Sequence, residues 1–138
     1  MIARAFEDVR EQDLQDLIAS ARPEGRQLDY KASLPVASDP DKKEFMADVC
    51  SFANSSGGDI LYGIDEQREN GRATGLPGAI TGVGSVNVDA EVLRLESMAR
   101  DGLAPRVTGV RVRGIQTGAG PVVLVRVPRS WNAPHMVT

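Results

Sequence analysis

Two short apolar runs, Ile60-Leu61-Tyr62-Gly63-Ile64 and Val122-Val123-Leu124-Val125-Arg126-Val127, constrain this chain more than any other feature. Each has the length of a strand and is too short for a helix, and nearly continuous apolar character marks a strand buried within a sheet. The first reads as a central strand. The second pairs with residues 107–115, where Val110 and Val112 alternate with Arg111 and Arg113, through a turn at Gln116–Gly120. That is a hairpin of one buried and one half-exposed strand. Residues 27–33 also alternate: Leu28 and Tyr30 point one way, and Gln27, Asp29 and Lys31 the other.

The cover for these strands is helical. Leu14, Leu17, Ile18 and Ala21 recur at helical spacing, Asp8 and Glu11 resemble a capping box, and Pro23 and Gly25 end the run. Asp39-Pro40 is a start signal for a helix reaching about Asn54, with Phe45, Val49, Phe52 and Ala53 in one stripe and Met46 and Cys50 beside it. Val92, Leu95, Met98 and Ala99 predict a third helix from about Val88 to Arg100, stopped by Gly102. Residues 66–87, with Gly71, Gly75, Gly78, Gly82 and Gly84, read as loops around one short edge strand near 73–76. The order β-α-β-β-α-β-β after a leading helix predicts an α+β fold: a mixed or antiparallel sheet packed with about three helices, one domain over residues 1–138. Leu28, Tyr30, Phe45, Val49, Phe52, Leu61, Ile64, Val123 and Val125 are the expected core.

Several classes are excluded. No run of about 18 apolar residues is present, so no segment is expected to span a membrane. The N-terminus is too polar for a signal peptide. One cysteine, Cys50, excludes an internal disulfide and fits a reducing, cytoplasmic setting; with a single histidine, His135, it also excludes Cys/His zinc sites. Cys50 reads as a small core residue and His135 as structural.

Net charge is −3, but it is unevenly spread. Residues 1–70 hold 15 acids and 8 bases, and residues 71–138 hold 4 acids and 8 bases. After Asp101 come Arg106, Arg111, Arg113, Arg126 and Arg129 with no acid among them. Such a patch attracts polyanions even on an acidic protein, since charge is screened within about 8–10 Å. The alternative is a set of solvated strand faces. No helix rich in Arg, Asn or Gln is evident, so phosphate contact is expected ahead of base readout. Trp131 could stack on a base, and the preferred reading has it covering the end of the sheet.

From Glu24 to Glu66 the sequence carries an ordered set of motifs: Glu24, Asp29 and Lys31; Ser51-Phe52-Ala53-Asn54-Ser55-Ser56-Gly57-Gly58; and Leu61-Tyr62-Gly63-Ile64-Asp65-Glu66. With Val123–Pro128 and Pro134-His135, they resemble the Schlafen-type AlbA-like domain, long labelled a DNA-binding domain in bacteria. Aspartate stands at 29 where the family usually has glutamate, and glutamate at 66 where it usually has aspartate. Family domains usually continue through another strand, which implies that this chain is the N-terminal part of a longer protein.

The resemblance implies a nucleic-acid-binding domain (DNA or RNA, transfer RNA included), and the acid-free stretch after Asp101 points to Arg106, Arg111, Arg113 and Arg126 as its phosphate contacts. Its alternative is a metal-dependent endoribonuclease. There Glu24, Asp29 and Glu66, with Asp65 adjacent, would hold Mg²⁺ or Mn²⁺, and Lys31 would join the catalytic group. On spacing alone, Asp29 and Lys31 are equally an ordinary surface ion pair. A third reading is a homodimerisation module using an exposed strand edge. ATP binding is disfavoured: Asn54–Gly58 follows a helix C-terminus, whose dipole repels phosphate, and reads as a helix cap.

Overall fold

In the computed structural model, which describes residues 1–138, β2 (Gly58–Tyr62) and β7 (Val122–Val127) lie side by side at the centre of a four-stranded sheet. β1 (Leu28–Lys31) flanks β2 and β6 (Arg111–Ile115) flanks β7, giving the order β1-β2-β7-β6. β1 and β2 are parallel; the other two pairings are antiparallel. A parallel pair needs a crossover, and α2 (Asp39–Ala53) supplies it. The α+β fold with a mixed sheet and three helices is as the sequence predicts.

The pleat sorts the central strands onto two cores. On one face Ile60, Tyr62, Val112, Val123, Val125 and Val127 meet Phe45, Val49 and Phe52 of α2 and Leu95 and Ala99 of α3 (Val88–Asp101). On the other, Leu28, Tyr30, Leu61, Ile115, Val122 and Leu124 meet Leu14 and Leu17 of α1 (Glu11–Ala19), together with Ile2, Phe6 and Val9 of the N-terminal segment. All nine residues expected in the core are buried. Each such side chain contributes about 1.5–3 kcal/mol by leaving water.

Three expectations are corrected. Residues 66–87 are not loops around one short strand near 73–76: much of the stretch belongs to a hairpin, β3 (Ile64–Glu69) and β4 (Arg72–Ile80), separate from the main sheet. Its strands are mostly exposed and their register shifts around Glu66, so no apolar alternation announces them. The signal overlooked is Asn70-Gly71, both at positive φ (54° and 78°), the pair that a tight hairpin turn favours. α1 begins at Glu11, and the side chain that reaches back is Asp13, which accepts from the Arg10 N–H at 2.9 Å. Trp131 does not cover the sheet: it is 90% exposed.

The Asn54–Gly58 cap behaves as read. The Gly57 N–H donates to Phe52 O at 2.8 Å, and with φ at 78° a Cβ there would lie 2.7 Å from the Val127 carbonyl. Only glycine lets this turn press so closely on β7. The short strands β5 (Leu103–Ala104) and β8 (Met136–Val137) pair beside α2. Cys50, half-buried at the edge of the core, donates its thiol to the His135 carbonyl at 3.0 Å. No helix is long and apolar enough to cross a membrane.

Candidate functional site

The β3–β4 hairpin brings the sequence-predicted acids together through Gly75. The Glu24 N–H donates to Gly75 O at 2.7 Å, and the Gly75 N–H donates to Glu66 Oε2 at 3.1 Å. Glu24 lies just ahead of β1, and its Oε2 accepts from the Tyr30 N–H at 3.4 Å. Burial pushes the Glu24 carboxyl up to about 9, helped by hydrogen bonds with the Asp29 and Glu66 carboxyls and by their charges. At neutral pH Glu24 is therefore the member of the three that keeps its proton, which relieves its repulsion with the other two. Asp65, next on the strand, makes no hydrogen bond to this group.

These donors are all oxygen, the type that Mg²⁺ and Mn²⁺ prefer. As arranged here, however, no group of three His, Cys, Asp or Glu side chains is disposed to hold a metal ion.

Lys31 lies beside this group and extends it towards α2. Its Nζ is 3.0 Å from Glu44 Oε1, 3.4 Å from Asp29 Oδ2 and 3.7 Å from Asp48 Oδ2. Burial works against the ammonium, but the Glu44 hydrogen bond and the Asp29, Asp48 and Glu44 charges outweigh it and raise its pKa. Asp48 is pushed up to about 6 by burial, against the pull of Lys31 and with the charges of Asp29 and Glu44 adding to it. At 3.7 Å the Lys31 contact is Coulombic only, and Asp48 Oδ2 is buried without a hydrogen-bond partner. Lys31, Glu44, Asp48 and Tyr62 line an open cavity of about 220 Å³. Sequence reasoning missed Glu44 and Asp48. Their spacing of four on α2, which puts them on one helix face, is the signal that could have found them.

The four predicted arginines have different surroundings. Arg126 grips Asp59, which is fully buried, with Nε–Oδ1 at 2.8 Å and Nη2–Oδ2 at 3.0 Å. It also donates to the carbonyls of Arg4 (2.6 Å) and Ile2 (3.0 Å), while the Ile2 N–H donates to Asp59 at 2.8 Å. Arg113 donates to the carbonyls of Phe6 (2.9 Å) and Val9 (2.6 Å). Arg111 is exposed, 3.0 Å from Glu7, with its guanidinium 4.3 Å from the Phe6 ring centroid. All three face the N-terminal segment, and Arg113 and Arg126 hold it on the sheet through its carbonyls. Arg106 is exposed and free of any ion pair, on the rim of a cavity of about 290 Å³ shared with Glu96 and Arg100.

Comparison with known proteins follows the same outline. A family model described as Schlafen, AlbA_2 matches residues 24–138. No curated protein matches the chain. Ten chains of solved structure do. One is the N-terminal domain of a RecG-related protein from Nitrosomonas europaea, with TM-score 0.62 and 22% identity over 88% of this chain and 74% of that one. Another is the DIP2311 protein of Corynebacterium diphtheriae, with TM-score 0.49 and 15% identity over 85% of this chain and 24% of that one. The first shows a shared fold.

Proposed function

We propose that this chain, which belongs to the Schlafen, AlbA_2 family, is a nucleic-acid-binding domain that engages phosphates through arginine. The observation that carries the reading is the stretch after Asp101, which holds five arginines and no acid along the sequence and in which Arg106, Arg111 and Arg129 are exposed. The likeness to a protein described as related to an ATP-dependent DNA helicase supports it. Arg106 and Arg111 are the phosphate contacts in this reading. Arg113 and Arg126, whose donors are engaged by the N-terminal segment, hold that segment in place. Contacts of this kind bind DNA or RNA, transfer RNA included, without reading sequence.

The test is a salt series of mobility shifts with duplex DNA and transfer RNA. The Arg106→Ala/Arg111→Ala variant should bind all sequences more weakly and flatten the salt slope by roughly one to two. Binding as tight as the parent's at low salt would reduce the patch to a solvated face.

A second reading, a metal-dependent endoribonuclease, is favoured by one observation: Glu24, Asp29 and Glu66 meet, with Lys31 beside Asp29. Because the carboxyls do not frame a metal position as they stand, no cleavage step is derived. Incubation of parent and Asp29→Asn with transfer RNA and Mn²⁺ decides it. Mn²⁺-dependent cleavage lost in the variant supports the nuclease; no cleavage by the parent leaves the binding domain.

A further inference from the structure

Trp131 is the only tryptophan in a chain with 4% aromatic residues, and it is 90% exposed. A large ring left in water gains nothing for the fold, so its display needs another reason. The loop that carries it is firmly anchored. At one end the Ser130 N–H donates to Ala53 O at 3.0 Å, and Ser130 Oγ accepts from the Asn132 N–H at 3.1 Å. At the other, His135 is buried, its N–H donating to Asn54 Oδ1 at 2.7 Å. Between these anchors residues 131–134 are all exposed. The ring therefore stands on a fixed base with a face open to solvent.

Its surroundings are cationic. The Arg129 guanidinium lies 5.1 Å from the Trp131 ring centroid. The His135 ring joins two loops, with Nε2 2.5 Å from Ser130 Oγ and Nδ1 2.5 Å from the Pro105 carbonyl. Arg106 and Trp131, each one residue beyond these contacts, thus share one corner of the molecule. Nearby, Arg106 and Arg100 line the same cavity. Of the acids there, Asp101 pairs with Arg100 at 3.6 Å and Glu96 lines the cavity, leaving Arg106 and Arg129 without ion pairs.

An open indole beside unpaired guanidinium groups fits a stacked base with a phosphate on either side, the arrangement by which proteins hold single strands without sequence preference. We propose that Trp131 and Arg129, with Arg106 across the His135 tie, form a stacking platform for one unpaired base of a single-stranded nucleic acid. This rests on the nucleic-acid reading above and adds to it a place and a strand type.

Because Trp131 is the sole tryptophan, its fluorescence reports on the platform directly. The full chain is titrated at low salt with a thymidine oligonucleotide of about 12 nucleotides, a length within the usual single-strand site sizes. An abasic oligomer of the same length and charge is run beside it. The oligonucleotide should quench Trp131; the abasic oligomer should bind more weakly and leave the emission unchanged. Trp131→Ala should lose roughly 5- to 100-fold in affinity for the oligonucleotide, the range of one stacked base, while Trp131→Phe keeps most of it. Neither substitution should alter the circular dichroism spectrum or melting, since the ring packs against so little.

Equal binding of the oligonucleotide by parent and Trp131→Ala overturns the platform and leaves the phosphate-binding reading standing. Absence of binding to either oligomer overturns the platform, and absence of binding to duplex DNA and transfer RNA as well overturns the phosphate-binding reading with it. An emission shift that follows protein concentration without any oligonucleotide overturns the platform too, assigning the ring to contact with a second copy, together with exposed Met136.

Discussion

On the face of the sheet that meets the N-terminal segment, a fully buried aspartate has a donor at every oxygen. Asp59 receives two hydrogen bonds from Arg126 and one from the Ile2 N–H, and two further Arg126 donors close on the carbonyls of residues 2 and 4. At the β1 edge the pattern is reversed. Glu24 meets two more acids, Lys31 is shared among three, and Asp48 keeps an oxygen with no partner. Matched charge of the first kind fixes geometry, here the seat of the N-terminal segment. Crowded charge of the second kind costs stability. It shifts protonation towards neutrality, as the raised carboxyls of Glu24 and Asp48 show, and such groups concentrate where a protein binds or reacts.

The largest expected effect comes from breaking the matched region. Arg126→Ala strands the Asp59 carboxylate, which has no exposed surface, and should cost about 3–5 kcal/mol in urea unfolding. Replacing both partners with apolar residues of similar volume, as in Asp59→Leu/Arg126→Met, should recover most of that loss. A loss under about 1 kcal/mol for the single variant would mean that the pair is no more than a surface contact.

The crowded region should respond in the opposite direction. Glu24 titrates near 9 in the folded chain against an ordinary 4.5, so the fold holds its proton more tightly than the unfolded chain does. The stabilisation this gives is complete below about 4.5 and is lost as pH rises through about 9. Glu24→Gln, which stays neutral, should flatten that decline and be more stable than the parent at pH 8. The gain should be about 1 kcal/mol once solvent screening of this part-exposed site is allowed for. Asp48→Asn should remove a smaller component confined to the interval between the ordinary 3.8 and about 6. Unfolding curves from pH 4 to 9 that are parallel in parent and Glu24→Gln would show that the three carboxyls do not share a proton.

The two regions also differ in how far the sequence discloses them. The core strands declare themselves because Ile60–Tyr62 and Val122–Val127 are apolar at nearly every position, and only a strand covered on both faces tolerates that. Glu24, Asp29 and Glu66 are legible as a motif, but their meeting depends on a hairpin whose strands are mostly exposed and whose sole clear mark is Asn70-Gly71. Glu44 and Asp48 look like ordinary solvated positions on α2 until β1 is placed against that helix. For the arginines the missing information is long-range. Arg113 and Arg126 alternate with buried valines like any outward-facing residues. Nothing local says that residues 2–9, more than a hundred positions earlier, fold back over them.

Arg111 lies between the two regimes. It touches the N-terminal segment as Arg113 and Arg126 do, through Glu7 at 3.0 Å and the Phe6 ring at 4.3 Å, yet its side chain remains 54% exposed. An exposed ion pair contributes about 0.2–1 kcal/mol, and an exposed cation over an aromatic ring about 0.5–1 kcal/mol. Arg111→Ala should therefore lower stability by at most about 2 kcal/mol and leave the segment seated, because the Arg113 and Arg126 hydrogen bonds to its carbonyls remain. Glu7→Gln should also lower stability slightly if the ion pair is the part that matters. The two variants separate on nucleic acid. Arg111→Ala removes a cation and should weaken binding and reduce the salt slope by about one, whereas Glu7→Gln removes a competing carboxylate and should tighten binding. If both variants lose the same stability and neither changes binding, Arg111 belongs with Arg113 and Arg126 as a fastening, and the phosphate-facing surface contracts to Arg106 and the corner around Trp131.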